Sequence, residues 1–594
     1  MKKVGSLIRQ LLPRRDVPLR QNATPQKLLL LLLTPLTAFW LMQLVLGSPP
    51  WNMSVGVALA NWLCLSALYW IGCAIIGYPA VCCVLLHILA GMWGAANYFV
   101  SVFRGTPILP WDFKALGTAV AVAGSYSLSM TWQIAICIML ITLLAWALRP
   151  YYKMGHFLLR KGDLLRRGSV LIAGLLCLIP IAHPQILGMF GVETDVWDQL
   201  GAYQTGGAAA EFLRNTEFME VKKPDDTTPE RVNAFVNGAE DDPTPNVGVD
   251  HPNIVAIMNE SWADFEDFGN LTLTESHAYT SVFGAGTSTS EFEFLTGNSM
   301  NFLPSGSIPY QQYILGPTDS LATLLKGYGY ETRAFHPGER TSWQRNIAYP
   351  RLGFDSFKCG EDMDVPQTEE HGYVSDDSDF EQIIWEFEHK DESTPLFLFN
   401  VTIQNHGSYE EEDFANLNAL LDSRTNCSQT RQYLTLVKES GKALKELLQQ
   451  LEQRPRKTYV VFFGDHQPWV DEAFYSQYES GPDAQEHLRY QVPYFIWCNQ
   501  SQEETQLPAC GLNDLQLYLA QVAGLPLTGY QKLLAQVAQR YPVVCAQGVR
   551  AADGSWLDEK QIAEDDLLNL YRTAVYAHIN EPERLENFWA YAAG

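Results

Sequence analysis

The run 458-TYVVFFGDH-466 decides how the second half of this 594-residue chain folds. Thr458 to Gly464 is β-branched, aromatic and glycine, with no polar face, and Asp465 and His466 follow at once. A strand that is apolar on both sides belongs inside a sheet covered by helices on each face, the α/β arrangement. Four more runs read the same way: 253-NIVAIMN-259, 330-YETRAF-335, 396-LFLFNVTI-403 and 491-QVPYFIW-497. Helical stretches at 319–327 and at the amphipathic 429–453 lie between them. Three of these runs also lead into polar residues: Glu260, His336, and the pair Asn405-His406. Sites in open α/β sheets form at the carboxyl ends of strands, so these side chains are expected on one rim.

The first third of the chain has a different character. Residues 1–190 carry 15 Lys/Arg against 3 Asp/Glu, a net of +12, and the remainder carries 26 against 63, a net of −37. So acidic a second part speaks against nucleic acid as a partner, because phosphate backbones select basic faces. Apolar runs at about 27–47, 55–76, 80–102, 131–148 and 169–190 are each long enough to cross a bilayer core of ~30 Å. Seven basic residues lie in 1–27 and six in 149–167, while only Arg104 and Lys114 separate the third and fourth runs. The positive-inside rule then puts the N-terminus and the 149–167 loop in the cytoplasm and everything after about 190 outside. The expected organisation is a five-span transmembrane domain (1–190), a helical connector (191–252) ending in an acidic, proline-rich boundary, and a catalytic domain (253–594).

Six of the eleven cysteines (Cys64, Cys73, Cys82, Cys83, Cys137, Cys177) sit in the apolar runs, where cysteine acts as a small hydrophobe. Cys359, Cys427, Cys498, Cys510 and Cys545 have no CxxC spacing, so no cysteine metal site is readable and disulfides stay open.

Glu260, Asp465 and His466 form a mixed oxygen and nitrogen set suited to one divalent ion, Mn²⁺ first and Mg²⁺ or Zn²⁺ as alternatives. Three ligands leave an open position, as catalytic metals require. The stretch 284-GAGTSTSEFEFLTGNS-299 could fill it. Its glycines lead into Thr and Ser hydroxyls at the start of a helix, where N–H groups favour phosphate and metal coordination could activate a hydroxyl. A plain helix cap is the competing reading of the same residues.

The segments NIVAIMNES, GTSTSEFEFLTGNSMNFLPSG, FHPGERTSWQRNIAYPRLGFDSF, NVTIQNHGSY and FFGDHQPW, in this order behind five spans, resemble the lipoteichoic acid synthase family. The resemblance runs from the first span to about residue 540. It implies an alkaline-phosphatase- or sulfatase-like catalytic domain, with a central sheet and helices on both faces, behind a five-helix membrane domain. It also implies a metal-dependent phosphoglycerol transferase that takes phosphatidylglycerol as donor. The implied product is a teichoic acid or other glycan or glycolipid acceptor carrying glycerol phosphate. Aligned on Glu293-Phe294-Leu295, it puts the nucleophile on Thr289 rather than Thr287, and the metal ligands on Glu260, Thr289, Asp465 and His466. Substrate positions fall on His336, Trp343, Arg345 and His406, with His406 also exchanging protons and Arg345 clamping phosphate with two donors. Family members often carry a polar side chain where this chain has Gly338, with Glu339 as the local substitute. A phosphoethanolamine transferase and an inactive glycan-binding scaffold are the alternatives.

Overall fold

The computed structural model describes residues 24–104, 107–115, 131–149, 161–194, 199–219, 221–224, 228–238, 251–263, 276–304, 306–409, 428–470, 474–475, 487–501 and 507–589. The basic segment 1–23, much of the basic loop after Arg149, the acidic boundary 239–250 and Cys427 lie outside the described residues. The chain divides into two compact units, Met1–Glu220 and Val221–Gly594. Residues 191–219 thus belong to the first unit, and the helix Pro229–Gly238 belongs to the second.

The first unit is built from apolar helices. Leu29–Leu46, Val55–Ile76, Pro79–Ser101 and Leu164–Ala182 are long and apolar enough to cross a membrane, and Trp132–Ala147 is a shorter apolar helix. Among the described residues, every exposed large apolar side chain except Leu315 and Trp469 lies in this unit. That inversion of the usual inside-outside pattern fits helices that face lipid. The last apolar run is shifted from the expected 169–190. Its helix starts at Lys161, ends at Leu176 and continues only as short turns, Ile179–Ala182 and Gln185–Gly188. Pro180 and Pro184 explain the break, since each lacks the N–H that a continuous helix needs.

The second unit is organised around eight strands: β1 (Asn253–Asn259), β2 (Ser276–Tyr279), β3 (Glu331–His336), β4 (Ser356–Cys359), β5 (Leu396–Val401), β6 (Thr458–Gly464), β7 (Gln491–Cys498) and β8 (Cys510–Gly511). Their order across the sheet is β8-β2-β7-β6-β1-β5-β3-β4. The five strands from β6 to β4 run parallel, and β7 is antiparallel to both its neighbours. Strand β1 is buried along its whole length. Ile254, Ala256 and Met258 join the core on one face of the sheet, and Val255 and Ile257 join the core on the other. This is the alternation that covered parallel strands require. The helix Thr287–Thr296 packs Phe292, Phe294 and Leu295 into the first core, and Ser428–Glu452 packs Tyr433, Leu436 and Leu444 into the second.

Register does the positioning. Asn259 pairs with Gly464, so the next residues on those strands, Glu260 and Asp465, emerge side by side. Phe335 pairs with Asn400 and Met258 with Val401, which brings His336 to the same rim.

Candidate active site

Glu260, Asp465 and His466 each offer a ligand atom, all within 4.8 Å of one another, and all three side chains are buried. Asp465 Oδ1 accepts the backbone N–H groups of Ser261 (2.7 Å) and His466 (2.8 Å). Its Oδ2 is buried with no hydrogen-bond partner among the described residues and lies 3.2 Å from His466 Nε2. Burial, with the nearby Glu260 carboxylate, pushes the Asp465 carboxyl up to about 7. His466 Nε2 stands 3.7 Å from Glu260 Oε1. The His466 Nδ1 donates to the Gln467 carbonyl (3.0 Å), which turns Nε2 toward the two carboxylates. Two carboxylates and one imidazole, with an orphaned buried oxygen among them, fit a hard or borderline divalent cation.

Two more histidines repeat the pattern. His336 Nδ1 donates to the Val401 carbonyl (2.9 Å) and His406 Nδ1 to the Gly407 carbonyl (2.6 Å). A carbonyl only accepts, so each Nδ1 carries the proton and each Nε2 is left for a ligand. Burial and the Arg345 charge hold His336 well below the usual imidazole value, which keeps it neutral. Behind the rim, Asn405 Nδ2 donates to Asn259 Oδ1 (2.9 Å), and Asn259 Nδ2 donates to Asp376 Oδ2 (2.8 Å). These bonds tie together the residues that directly precede His406 and Glu260.

The hydroxyl that meets this cluster belongs to Thr287. Gly284 and Gly286 take left-handed backbone angles (φ 72° and 102°), which residues with a Cβ rarely adopt, and the helix starts directly after them. Thr287, its first residue, directs its hydroxyl to Glu260 Oε2 at 3.5 Å and lines a cavity of about 290 Å³. Ser290, one turn on, donates to the Asp465 backbone carbonyl (2.6 Å) and locks the helix against the metal-ligand loop. Glu260, His336, Trp343, Arg345, His406 and His466 line the same cavity.

Residues 252–524 match the model of the sulfatase family. That match lies within the second unit. A Rhizobium meliloti (strain 1021) protein named for cyclic beta-1,2-glucan modification is 30% identical over 400 residues, 62% of this chain. The match spans 61% of that relative's length. A capsular polysaccharide biosynthesis protein of the same organism is 31% identical over 144 residues, 24% of this chain and 25% of its own. Among solved structures, a phosphoglycerol transferase of Streptococcus pyogenes in complex with sn-glycerol-1-phosphate has a TM-score of 0.50 at 19% identity. It covers 63% of this chain and 100% of its own, and shows the shared fold.

Within the matched region, two expected site residues stand in other surroundings than the resemblance implies. Thr289 is buried but does not line the cavity, because two residues along a helix turn it about 200° away from Thr287. Arg345 is not a free phosphate fork. Its Nε (2.9 Å) and Nη2 (2.6 Å) both donate to Glu291 Oε1, while Tyr310 (2.9 Å) and Tyr349 (2.6 Å) donate to Oε2. Glu291 lies one turn below Thr287 on the same helix face, so this cluster fixes the Thr287 helix to the turn that carries Trp343. Trp343 and Gln344 both have left-handed angles (φ 55° and 63°), a strained turn that presents the indole and the guanidinium to the cavity.

Gly338 has a local cause. A Cβ there would stand 2.5 Å from His336 Nε2 and 2.9 Å from Ile403 Cδ1. The ring of His336 occupies that space. Glu339 is exposed and does not line the cavity, so it does not supply the missing polar group. Trp469, also on the cavity wall, is a residue that strand-end reasoning did not single out.

Proposed function

We propose that this protein moves glycerol phosphate from phosphatidylglycerol to a cell-envelope glycan through a covalent phospho-threonine intermediate. The observation that carries the reading is the Thr287 hydroxyl at a helix N-terminus, 3.5 Å from a carboxylate of a metal-ready triad. Glu260, Asp465 and His466 would hold the divalent cation, Mn²⁺ by preference, which supplies positive charge that acidifies a hydroxyl and offsets phosphoryl charge.

Thr287 Oγ1 forms the bond to phosphorus as the bond from phosphorus to the diacylglycerol oxygen breaks, and its proton leaves toward Glu260 Oε2. N–H groups of the helix start face the phosphoryl oxygens. His406, on the open side of the cavity, would enter the step protonated on both nitrogens, give its Nε2 proton to the departing oxygen and take one back from the incoming acceptor hydroxyl. That hydroxyl displaces Thr287, whose oxygen takes its proton back from Glu260. Neutral His336 orients a phosphoryl or glycerol hydroxyl through Nε2, and Trp343 walls the glycerol. The apolar helices hold the domain where its lipid donor lies, with the basic segments 1–27 and 149–167 cytoplasmic and the catalytic unit outside. Glycan as acceptor is supported by what both Rhizobium relatives are named for, and glycerol phosphate by the ligand of the structural neighbour.

Full-length protein incubated with phosphatidylglycerol vesicles, acid-quenched and peptide-mapped should carry a glycerophosphate adduct on Thr287. Thr287→Ala should lose it and Thr289→Ala should keep it. An adduct on Thr289, or one formed only with phosphatidylethanolamine vesicles, would overturn this reading.

A further inference from the structure

Trp469 is 72% exposed, whereas the other exposed large apolar side chain among the described residues of its unit, Leu315, is 41% exposed. A lone exposed apolar residue needs no account, but this one forms part of the wall of the cavity that holds Thr287 and His466. The protein also builds a base for it. The ring of Phe283 lies 5.6 Å away, Phe283 packs edge-on against Tyr475 (5.2 Å), and the Arg489 guanidinium lies over both rings at 5.5 and 4.7 Å. Gly284 leaves room beneath the indole: a Cβ there would stand 3.0 Å from Trp469 Cε3. The loop is tied down as well, since Gln467 accepts from Gly284 N (2.9 Å) and donates to the carbonyls of Leu488 (2.9 Å) and Gln491 (2.7 Å). Trp469 is therefore a held, flat aromatic face with one side packed and most of its surface in water.

We propose that Trp469 is the stacking platform for a sugar ring of the acceptor glycan, an inference that rests on the transferase reading above. The electron-rich face of an indole attracts the axial C–H groups of a pyranose, while the sugar hydroxyls stay in water. An acyl chain of the donor would need a walled groove, and an open face gives it none. Membrane seating would need a cluster of apolar side chains beside basic ones. Trp469 follows the metal ligand His466 by three positions, so a ring stacked there holds its hydroxyl close to the phosphorylated Thr287.

The test uses full-length protein with phosphatidylglycerol vesicles and a neutral β-1,2-linked glucan as acceptor probe. Trp469→Ala should raise the glucan KM roughly tenfold, the worth of one good aromatic contact, and move the phosphatidylglycerol KM far less. Trp469→Tyr should restore most of the loss. An unchanged glucan KM overturns the proposal, and so does an equal rise in both KM values. A defect seen only with vesicle-presented donor, and not with a water-soluble headgroup ester, overturns it in favour of a membrane contact. If the wild type forms no product with either lipid or ester, the transferase reading fails separately. Indole fluorescence then decides the platform directly: glucan should quench the wild type and not Trp469→Phe, and equal quenching of both overturns it.

Discussion

Glu291 and Asp465 are both fully buried carboxylates beside the same cavity, and their surroundings could hardly differ more. Glu291 receives four hydrogen bonds, two of them from the Arg345 guanidinium, so its charge is balanced within the chain. Asp465 has one oxygen satisfied and the other orphaned, with Glu260 as a neighbouring carboxylate. Its carboxyl, pushed up to about 7, is the signature of a buried acid short of positive charge. Glu293, two residues beyond Glu291, is a third case. Its Oε1 accepts from Ser281 (2.7 Å) and Met300 N (2.9 Å), its Oε2 has no partner among the described residues, and burial pushes it up to about 8. The three acids teach one distinction: an ion pair inside the chain is structural, a retained proton is structural, and an uncompensated cluster on a cavity wall is built for something from outside.

The sharpest way to break that distinction is to make the same kind of edit at each acid. Asp465→Asn should cut transfer by roughly a thousandfold or more, since metal-assisted activation is lost. The metal-stripped variant should be at least as stable as metal-stripped wild type, because a repelled charge has been removed. A large drop in its thermal midpoint would make Asp465 a structural acid instead. Glu291→Ala should do the reverse, destabilising by about 3–5 kcal/mol in denaturant titration, the usual cost of stranding a buried charge. Arg345→Lys should incur part of the same cost, because an ammonium cannot reproduce the planar pair of donors. A cost below about 1 kcal/mol for Glu291→Ala would show that the cluster does not hold the turn.

A smaller effect is expected at Gly338→Ala. The new Cβ must displace the His336 ring or Ile403, at about 1–3 kcal/mol of overpacking strain. Turnover should fall by more than this destabilisation accounts for, because His336 Nε2 is moved, and an unshifted pH–rate profile with wild-type turnover would count against it. The smallest effect concerns Glu293. Its folded carboxyl holds a proton up to about pH 8, whereas the unfolded chain releases it near 4.5. Between those values the folded protein binds the extra proton, so stability falls as pH rises through the window. Glu293→Gln should flatten that fall by at most about 1.4 kcal/mol per pH unit, read from thermal midpoints across a pH series. An unchanged slope would place the proton elsewhere.

Much of this was legible in the sequence because strand ends are local signals. The run 253–259 is β1 residue for residue, 458–464 is β6, and their polar successors meet as the parallel register requires. The choice between Thr289 and Thr287 turns on an equally local feature. Glu291-Phe292 and Glu293-Phe294 repeat the same pair, so an alignment can slide by two residues and look equally good. Only the helix's rotation separates the two choices. The Glu291–Arg345 pairing had no signal at all, since the partners stand 54 positions apart with no fixed spacing. Trp469 was in plain view after Asp465-His466, but exposure is a property of the folded surface, not of the string.

The register of β1 against β6 has a consequence for the order in which the protein matures. Ser261 and Asp465 hydrogen-bond across 204 positions of chain. A nascent chain made N-terminus first presents Glu260 long before the strand that carries its partners exists. Until β6 docks beside β1, the carboxylates of this site belong to separate segments with no shared affinity for a cation, so ion capture waits for the sheet's central pairing. Under the metal-binding reading, metal content would be a timestamp of completed assembly: a truncated or stalled chain would remain empty of metal however much of the helix bearing Thr287 had formed.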